Sequence, residues 1–168
     1  MMHILALDLG TVTGWAQCHD GQVISGTVRL RRRGERDGVQ YLRWADWLDN
    51  VKFHGLDGVW YERVYRHIGT DAAHAYGGYM AILLAWACRH DIPCHGIGVQ
   101  AIKKHITGRG QATKDQVIAA VRNIGYDPVD DNHADALALL HMATSVSCET
   151  WENQQTATRP QLAAVATI

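Results

Sequence analysis

No stretch of about eighteen uninterrupted apolar residues occurs along the 168 residues, so no membrane-spanning helix is expected. The N-terminus also lacks the basic region, apolar run and small-residue cleavage site of a secretory signal, and a cytoplasmic location is the expectation. Cysteine is sparse and scattered, with Cys18, Cys88, Cys94 and Cys148 forming no CxxC pair. That spacing points to neither a zinc cage nor a disulfide framework and leaves small, incidental thiols. Positive charge is in slight deficit too, 16 Lys and Arg against 17 Asp and Glu. Taken as a total, such a balance opposes a nucleic-acid partner, because neutralising phosphates takes positive charge facing them. Distribution outweighs the total, however. Arg29, Arg31, Arg32, Arg33 and Arg36 fall in one short segment, and Lys103, Lys104, Arg109 and Lys114 in another. Acidic residues elsewhere do not cancel these local fields, which are screened only beyond about 8 to 10 Å. Either cluster alone has the default reading of a solvated basic loop.

What the chain does have is apolar content, 47% of its residues, enough for one well-cored domain. Residues 3–8 and 13–18 are strand candidates separated by Leu9-Gly10-Thr11, and 22–30 alternates as a third. A polar loop, RRRGERDG, leads to a helix whose apolar face is expected to be Val39, Leu42, Ala45, Leu48 and Val51. Asp57 to Glu62 reads as a fourth strand. From Thr70 to about His90 an Ala-rich segment reads as a helix, with close packing or a kink at Gly77-Gly78. Ile92 to Ile97 is a fifth strand, compatible with a sheet edge because of Pro93. A short helix over 99–106, the loop TGRGQA, a helix from Thr113 to Asn123 and a last helix from about Asp131 follow. Thr113 with Gln116 three residues on forms a capping box. This order predicts an α/β fold, a mixed five-stranded sheet flanked by helices, over residues 1–146, with 147–168 as a mobile tail.

The stretch LALDLGTVTGWA raises the first chemical question. Asp8 can hold a metal, or Gly10-Thr11 can cradle a phosphate, and the motif alone does not choose. Two further acids stand out by context. Glu62 ends the fourth strand, and Asp135 lies in the first turns of the last helix. If the first and fourth strands are neighbours, Asp8 and Glu62 emerge at the same end, and a helix across that end delivers Asp135. Converging carboxylates repel unless a hard cation neutralises them, and oxygen ligands suit Mg²⁺ or Mn²⁺. Helical spacing from Asp135 selects Asp131 and Asn132 for the same face and disfavours His133. Asp130 or Asp131 also has the simpler role of N-cap.

With these residues assembled, the chain resembles the RuvC family of Holliday-junction resolvases, particularly its compact bacteriophage versions, over roughly residues 3–145. LALDLGT is similar to the family's first-strand motif, WYERVYRH to its fourth-strand motif and DDNHADALALL to its final helix. VQAIKKHITGRGQATKDQV resembles the segment that carries two functional lysines, which fall here on Lys103 and Lys114. The order and spacing of the four segments make the match specific.

The resemblance implies a ribonuclease H-like fold, a homodimer, and nicking of opposed strands at a four-way DNA junction with Mg²⁺ or Mn²⁺, two ions per site. Carried over by position, Asp8, Glu62 and Asp135 hold the metals and Lys103 and Lys114 meet phosphates or developing charge. Tyr65 falls where the family places an aromatic that stacks at the open junction. One departure is Asn132, where the family has Asp or His. Asp131, one helical turn before Asp135, is therefore the expected fourth ligand. Lys104, Arg109 and the arginines from Arg31 to Arg33 are the remaining expected DNA contacts, and the compartment is the host cytoplasm if the chain is phage-encoded. Two other readings stay open here: a nuclease for forks or flaps, and an actin- or sugar-kinase-like ATP-binding protein. The latter also opens on D-x-G-T but needs a second phosphate loop and a longer chain, neither of which is seen.

Overall fold

The computed structural model of the chain describes residues 3–50, 55–66 and 69–145. Val51, Cys148 and the expected tail over 147–168 lie outside them. Five strands, β1 (Ile4–Asp8), β2 (Val12–His19), β3 (Gln22–Arg29), β4 (Gly58–Arg63) and β5 (Cys94–Gly98), form one sheet in the order β3-β2-β1-β4-β5. β1 pairs antiparallel with β2 and β2 with β3, while β4 and β5 run parallel to β1. The expected edge position of β5 follows, and Pro93 sits just before it, giving its carbonyl to Val59 N. Because β3 also runs in the direction of β1, the C-terminal ends of β1, β3, β4 and β5 all lie along one end of the sheet. Open α/β sheets bind ligands at such ends.

The helices α1 (Val39–Asn50) and α2 (Thr70–Arg89) cover one face of the sheet, and α3 (Val99–Thr107), α4 (Lys114–Asn123) and α5 (Asp131–Ser145) the other. The period of two along each strand assigns its residues to these faces. Leu5, Leu7, Val59 and Tyr61 pack with Trp44, Leu48, Tyr79 and Leu83 on the α1–α2 side. Ile4, Ala6 and Trp60 pack with Ile102, Val117, Val121 and the buried face of α5 on the other. The expected capping box opens α4, with Thr113 Oγ1 accepting from Gln116 N and Gln116 Oε1 from Thr113 N.

The expected apolar face of α1 holds at Leu48, which is fully buried, and fails at Leu42, which is 67% exposed; Gln40 and Trp44 face inward beside Leu48. An indole removes far more apolar area from water than an aliphatic side chain, so Trp44 sets the rotation of the helix. It is fully buried and its Nε1 donates to Tyr79 O. At Gly78, α2 stays helical, and the glycine serves close packing: a Cβ there meets the ring of Tyr41 at 2.4 Å. No helix among the described residues is long and apolar enough to cross a membrane.

Candidate active site

The strand period decides where the acids point. Asp8 shares parity with Ile4 and Ala6, and Glu62 with Trp60, so both carboxylates stand on the face covered by α5. Leu7 pairs with Tyr61 in the parallel β1–β4 ladder, which brings Asp8 and Glu62 side by side at the strand ends. Tyr76 on α2 ties down that end of β4, its hydroxyl donating to Glu62 O at 2.9 Å and accepting from Val64 N at 3.2 Å.

α5 reaches this position because β2 carries a glycine where the helix crosses it. Gly14 pairs with Asp8, so its missing side chain lies on the same face. A Cβ there stands 1.9 Å from Asn132 O and 2.4 Å from Asn132 C. Only glycine admits the first turn of α5, and with it Asp131 and Asp135, beside Asp8. Further along α5, Ala134, Ala136, Ala138 and Ala143 are all buried. Replacing Gly14 with alanine is expected to push α5 off β2, lowering stability by about 1 to 3 kcal/mol. Urea unfolding monitored by tryptophan fluorescence checks the loss, and an unchanged midpoint contradicts the packing described.

His133 points away from the acids. Its Nδ1 accepts from Val129 N at 3.2 Å and its Nε2 lies 2.8 Å from Ser25 Oγ on β3, a buried tie between helix and sheet. Asp130 Oδ1 accepts from His133 N at 2.8 Å, the capping role foreseen for an acid here.

Electrostatics divides the four acids into two kinds. Asp8 has its pKa raised well above the usual range, first by burial and then by Glu62, Asp135 and Asp131. Burial, with Asp135 beside it, lifts Glu62 to about 7, and burial lifts Asp135 to about 6. Asp131 behaves oppositely. It pairs directly with Lys114, and that hydrogen bond lowers its pKa and raises that of the lysine. Three carboxylates thus stand together with too little positive charge, and one is satisfied.

The lysines partly relieve the three. Lys103 acts on Glu62 and Asp135, although its Nζ donates to Ala112 O at 2.9 Å. Lys114 acts on Asp8 and Asp135 as well as on Asp131. Lys104 and Arg109 do not belong to this cluster. Both are exposed, and Arg109 borders a shallow groove of about 480 Å³ between α3 and α4. Tyr65 lies just beyond β4, 75% exposed, with the Arg63 guanidinium 5.3 Å from its ring centroid. Arg31, Arg32 and Arg33 are exposed in the loop that follows β3, at the same end of the sheet as Asp8. A tight turn follows Asp8, with Thr13 Oγ1 donating to Gly10 O at 2.9 Å.

Among the described residues no three His, Cys, Asp or Glu side chains form a ready-made metal cage. The donor set nonetheless fits a hard cation. It is made of carboxylate oxygens, it is partly withdrawn from water, and its members raise one another's pKa, an imbalance that a positive ion removes. Sequence reasoning missed Gly14 and Tyr76, which position the acids through the backbone. The small residue two places after the start of the Val12 strand is the one signal that could point to close helix packing.

Comparison with known proteins supplies the rest. Similar solved structures include Thermus thermophilus RuvC in complex with a Holliday junction substrate, with a TM-score of 0.71 and 22% identity, covering 83% of this chain and 90% of that one. A second Thermus thermophilus RuvC structure gives a TM-score of 0.65 and 23% identity over 82% of this chain and 90% of its own. At these identities the likeness establishes the ribonuclease H-like fold. A family model, crossover junction endodeoxyribonuclease RuvC, matches residues 11–142, a span that begins just after Asp8 and takes in Glu62, Lys103, Lys114 and the acids of α5. The chain therefore belongs to the RuvC family of crossover junction endodeoxyribonucleases.

Proposed function

We propose that this junction-resolving endonuclease cuts four-way DNA at the C-terminal ends of β1 and β4, with Asp8, Glu62 and Asp135 binding Mg²⁺ or Mn²⁺. The observation that carries this reading is the convergence of three carboxylates from three elements, each pushed toward protonation by burial. Asp131 supplies a fourth oxygen in this reading, exchanging Lys114 for it as DNA enters. Bound divalent ions supply Lewis acidity at the scissile phosphate and lower the pKa of a water.

The chain's own residues do the rest. Lys114, freed from Asp131, and Lys103 donate to phosphate oxygens and offset the charge that grows in the transition state. Arg31, Arg32 and Arg33, with Lys104 and Arg109, meet backbone phosphates, which position a duplex arm without reading its sequence. Tyr65 stacks on a base exposed where the arms part, a contact worth about 1 to 3 kcal/mol. A labelled four-way junction, a fork and plain duplex incubated with Mg²⁺ or Mn²⁺ test this reading. Cleavage of the junction well ahead of the other two is expected, and equal cleavage of plain duplex contradicts it.

Paired nicks need two active sites, and α2 offers the surface for a second copy. Ala81, Leu84, Ala85 and Cys88 are exposed along it, and a Cβ on Gly77 meets nothing within 4 Å. Gly77, Ala81, Leu84 and Cys88 are spaced by four, three and four, so they share one stripe whose small residues allow close helix contact. Leu84→Asp is expected to give a monomer by analytical ultracentrifugation and to nick, not linearise, a cruciform plasmid. A variant that still linearises the plasmid places the interface elsewhere.

A further inference from the structure

The loop between β3 and α1 contains an acid that its neighbours do not explain. Glu35 stands among Arg31, Arg32, Arg33 and Arg36, where simple charge arithmetic makes it a hindrance to any polyanion. Its partners give it another purpose. Arg43, on α1, forms a two-pronged pair with it, Nη2 meeting Oε1 and Nη1 lying 3.1 Å from Oε2. Glu35 Oε2 also accepts from Arg32 N at 2.9 Å, and Arg43 Nη1 donates to Leu30 O. One guanidinium therefore holds the start of the loop at Leu30 directly and its middle at Arg32 through the carboxylate. Both side chains are largely covered, at 25% and 21% exposure.

The same loop is tied to the active-site hairpin. Leu30 N and Arg31 N both donate to Thr11 O, at 2.8 and 3.3 Å, three residues after Asp8. The clamp thus fixes the arginine run against the turn that carries the central acid. A planar fork spanning a carboxylate and a carbonyl is a geometry that Arg makes and Lys does not.

We propose that Glu35 and Arg43 are positioning residues that hold Arg31, Arg32 and Arg33 in place to grip the phosphates of a DNA arm beside Asp8. This rests on the reading of the arginine loop as a DNA-binding segment, and the test separates the two. Ordering the backbone that carries these side chains before binding removes part of the entropy cost that otherwise weakens their hold on phosphate.

The discriminating variant is Glu35→Gln, because it removes a negative charge. If charge alone mattered, junction binding would tighten. The clamp predicts the reverse: about tenfold weaker binding, with a salt slope shallower by about 0.9 for each phosphate that the arginines no longer neutralise. Arg43→Lys, which keeps its charge, is expected to weaken binding similarly and repeats the test should Glu35→Gln fold poorly. In the Arg31→Ala, Arg32→Ala, Arg33→Ala background, Glu35→Gln is expected to have no further effect on the dissociation constant. A triple variant that binds like the parent overturns the arginine-loop reading itself. A weakened triple variant beside unchanged or tighter binding by Glu35→Gln overturns the clamp alone, and so does a full additional loss in the triple background.

Discussion

Asp8→Asn is expected to abolish junction cleavage, by at least about a thousandfold, and to leave junction binding at the parent level or tighter. The reasoning starts from the sheet. Asp8 ends the central strand, pairs with Gly14 on one side and stands beside Glu62 on the other. It is the one acid in the cluster whose pKa is raised by Glu62, Asp135 and Asp131 together, so it is the acid that a shared cation serves most. Asparagine keeps the shape and the oxygen while removing the charge. The residues proposed to grip DNA lie on other segments and are untouched, and a negative charge that would face the phosphates is gone. Gel-shift binding in Ca²⁺ beside single-turnover cleavage in Mg²⁺ separates the two effects. Retained cleavage places the central acid elsewhere.

The second large effect concerns stability. In metal-free protein, Glu62 has its pKa raised from the ordinary 4.5 to about 7 and Asp135 from 3.8 to about 6, burial being the first cause for both. A carboxyl whose folded-state pKa exceeds its unfolded value binds its proton more tightly in the folded chain. Its contribution to stability is fully present below the unfolded pKa and is lost as pH rises through the folded one. Metal-free protein is therefore expected to lose stability between about pH 4 and pH 7, on the order of 3 kcal/mol for Glu62 alone. Glu62→Gln removes that share of the slope and makes the metal-free chain more stable than the parent at pH 8. Urea midpoints measured in chelator from pH 4 to 8 check this. A parent chain that grows steadily more stable across that window contradicts the account.

Catalysis and stability thus pull against each other at one place. Replacing an acid of the cluster is expected to relieve repulsion and to cost activity, the trade expected where function rests on charges that the fold does not neutralise.

How far the sequence alone reaches is clear from particular residues. The strands and α2 are legible because alternation and an Ala-rich run are local signals, and the capping box is legible because Thr113 and Gln116 are three apart. Asp8 and Glu62 can be paired in advance because strand ends that carry acids converge once the two strands are parallel neighbours. The inward face of α1 is legible at Leu48 but not at Trp44, because aliphatic spacing marks Leu42 while the larger Trp44 takes the core. Gly14 escapes notice because its role depends on a helix more than a hundred residues later. The Glu35–Arg43 clamp is hidden for a related reason. From sequence, Glu35 is only one acid diluting a basic loop, and its partner lies in the following helix.

Mn²⁺ titration of the DNA-free protein followed by electron paramagnetic resonance tests whether Asp8, Glu62 and Asp135 share a bound cation. Saturable Mn²⁺ binding by the parent chain at pH 8 is expected, weakened sharply and alike by Asp8→Asn, Glu62→Gln and Asp135→Asn. Parent-like Mn²⁺ binding by any of the three variants would contradict it.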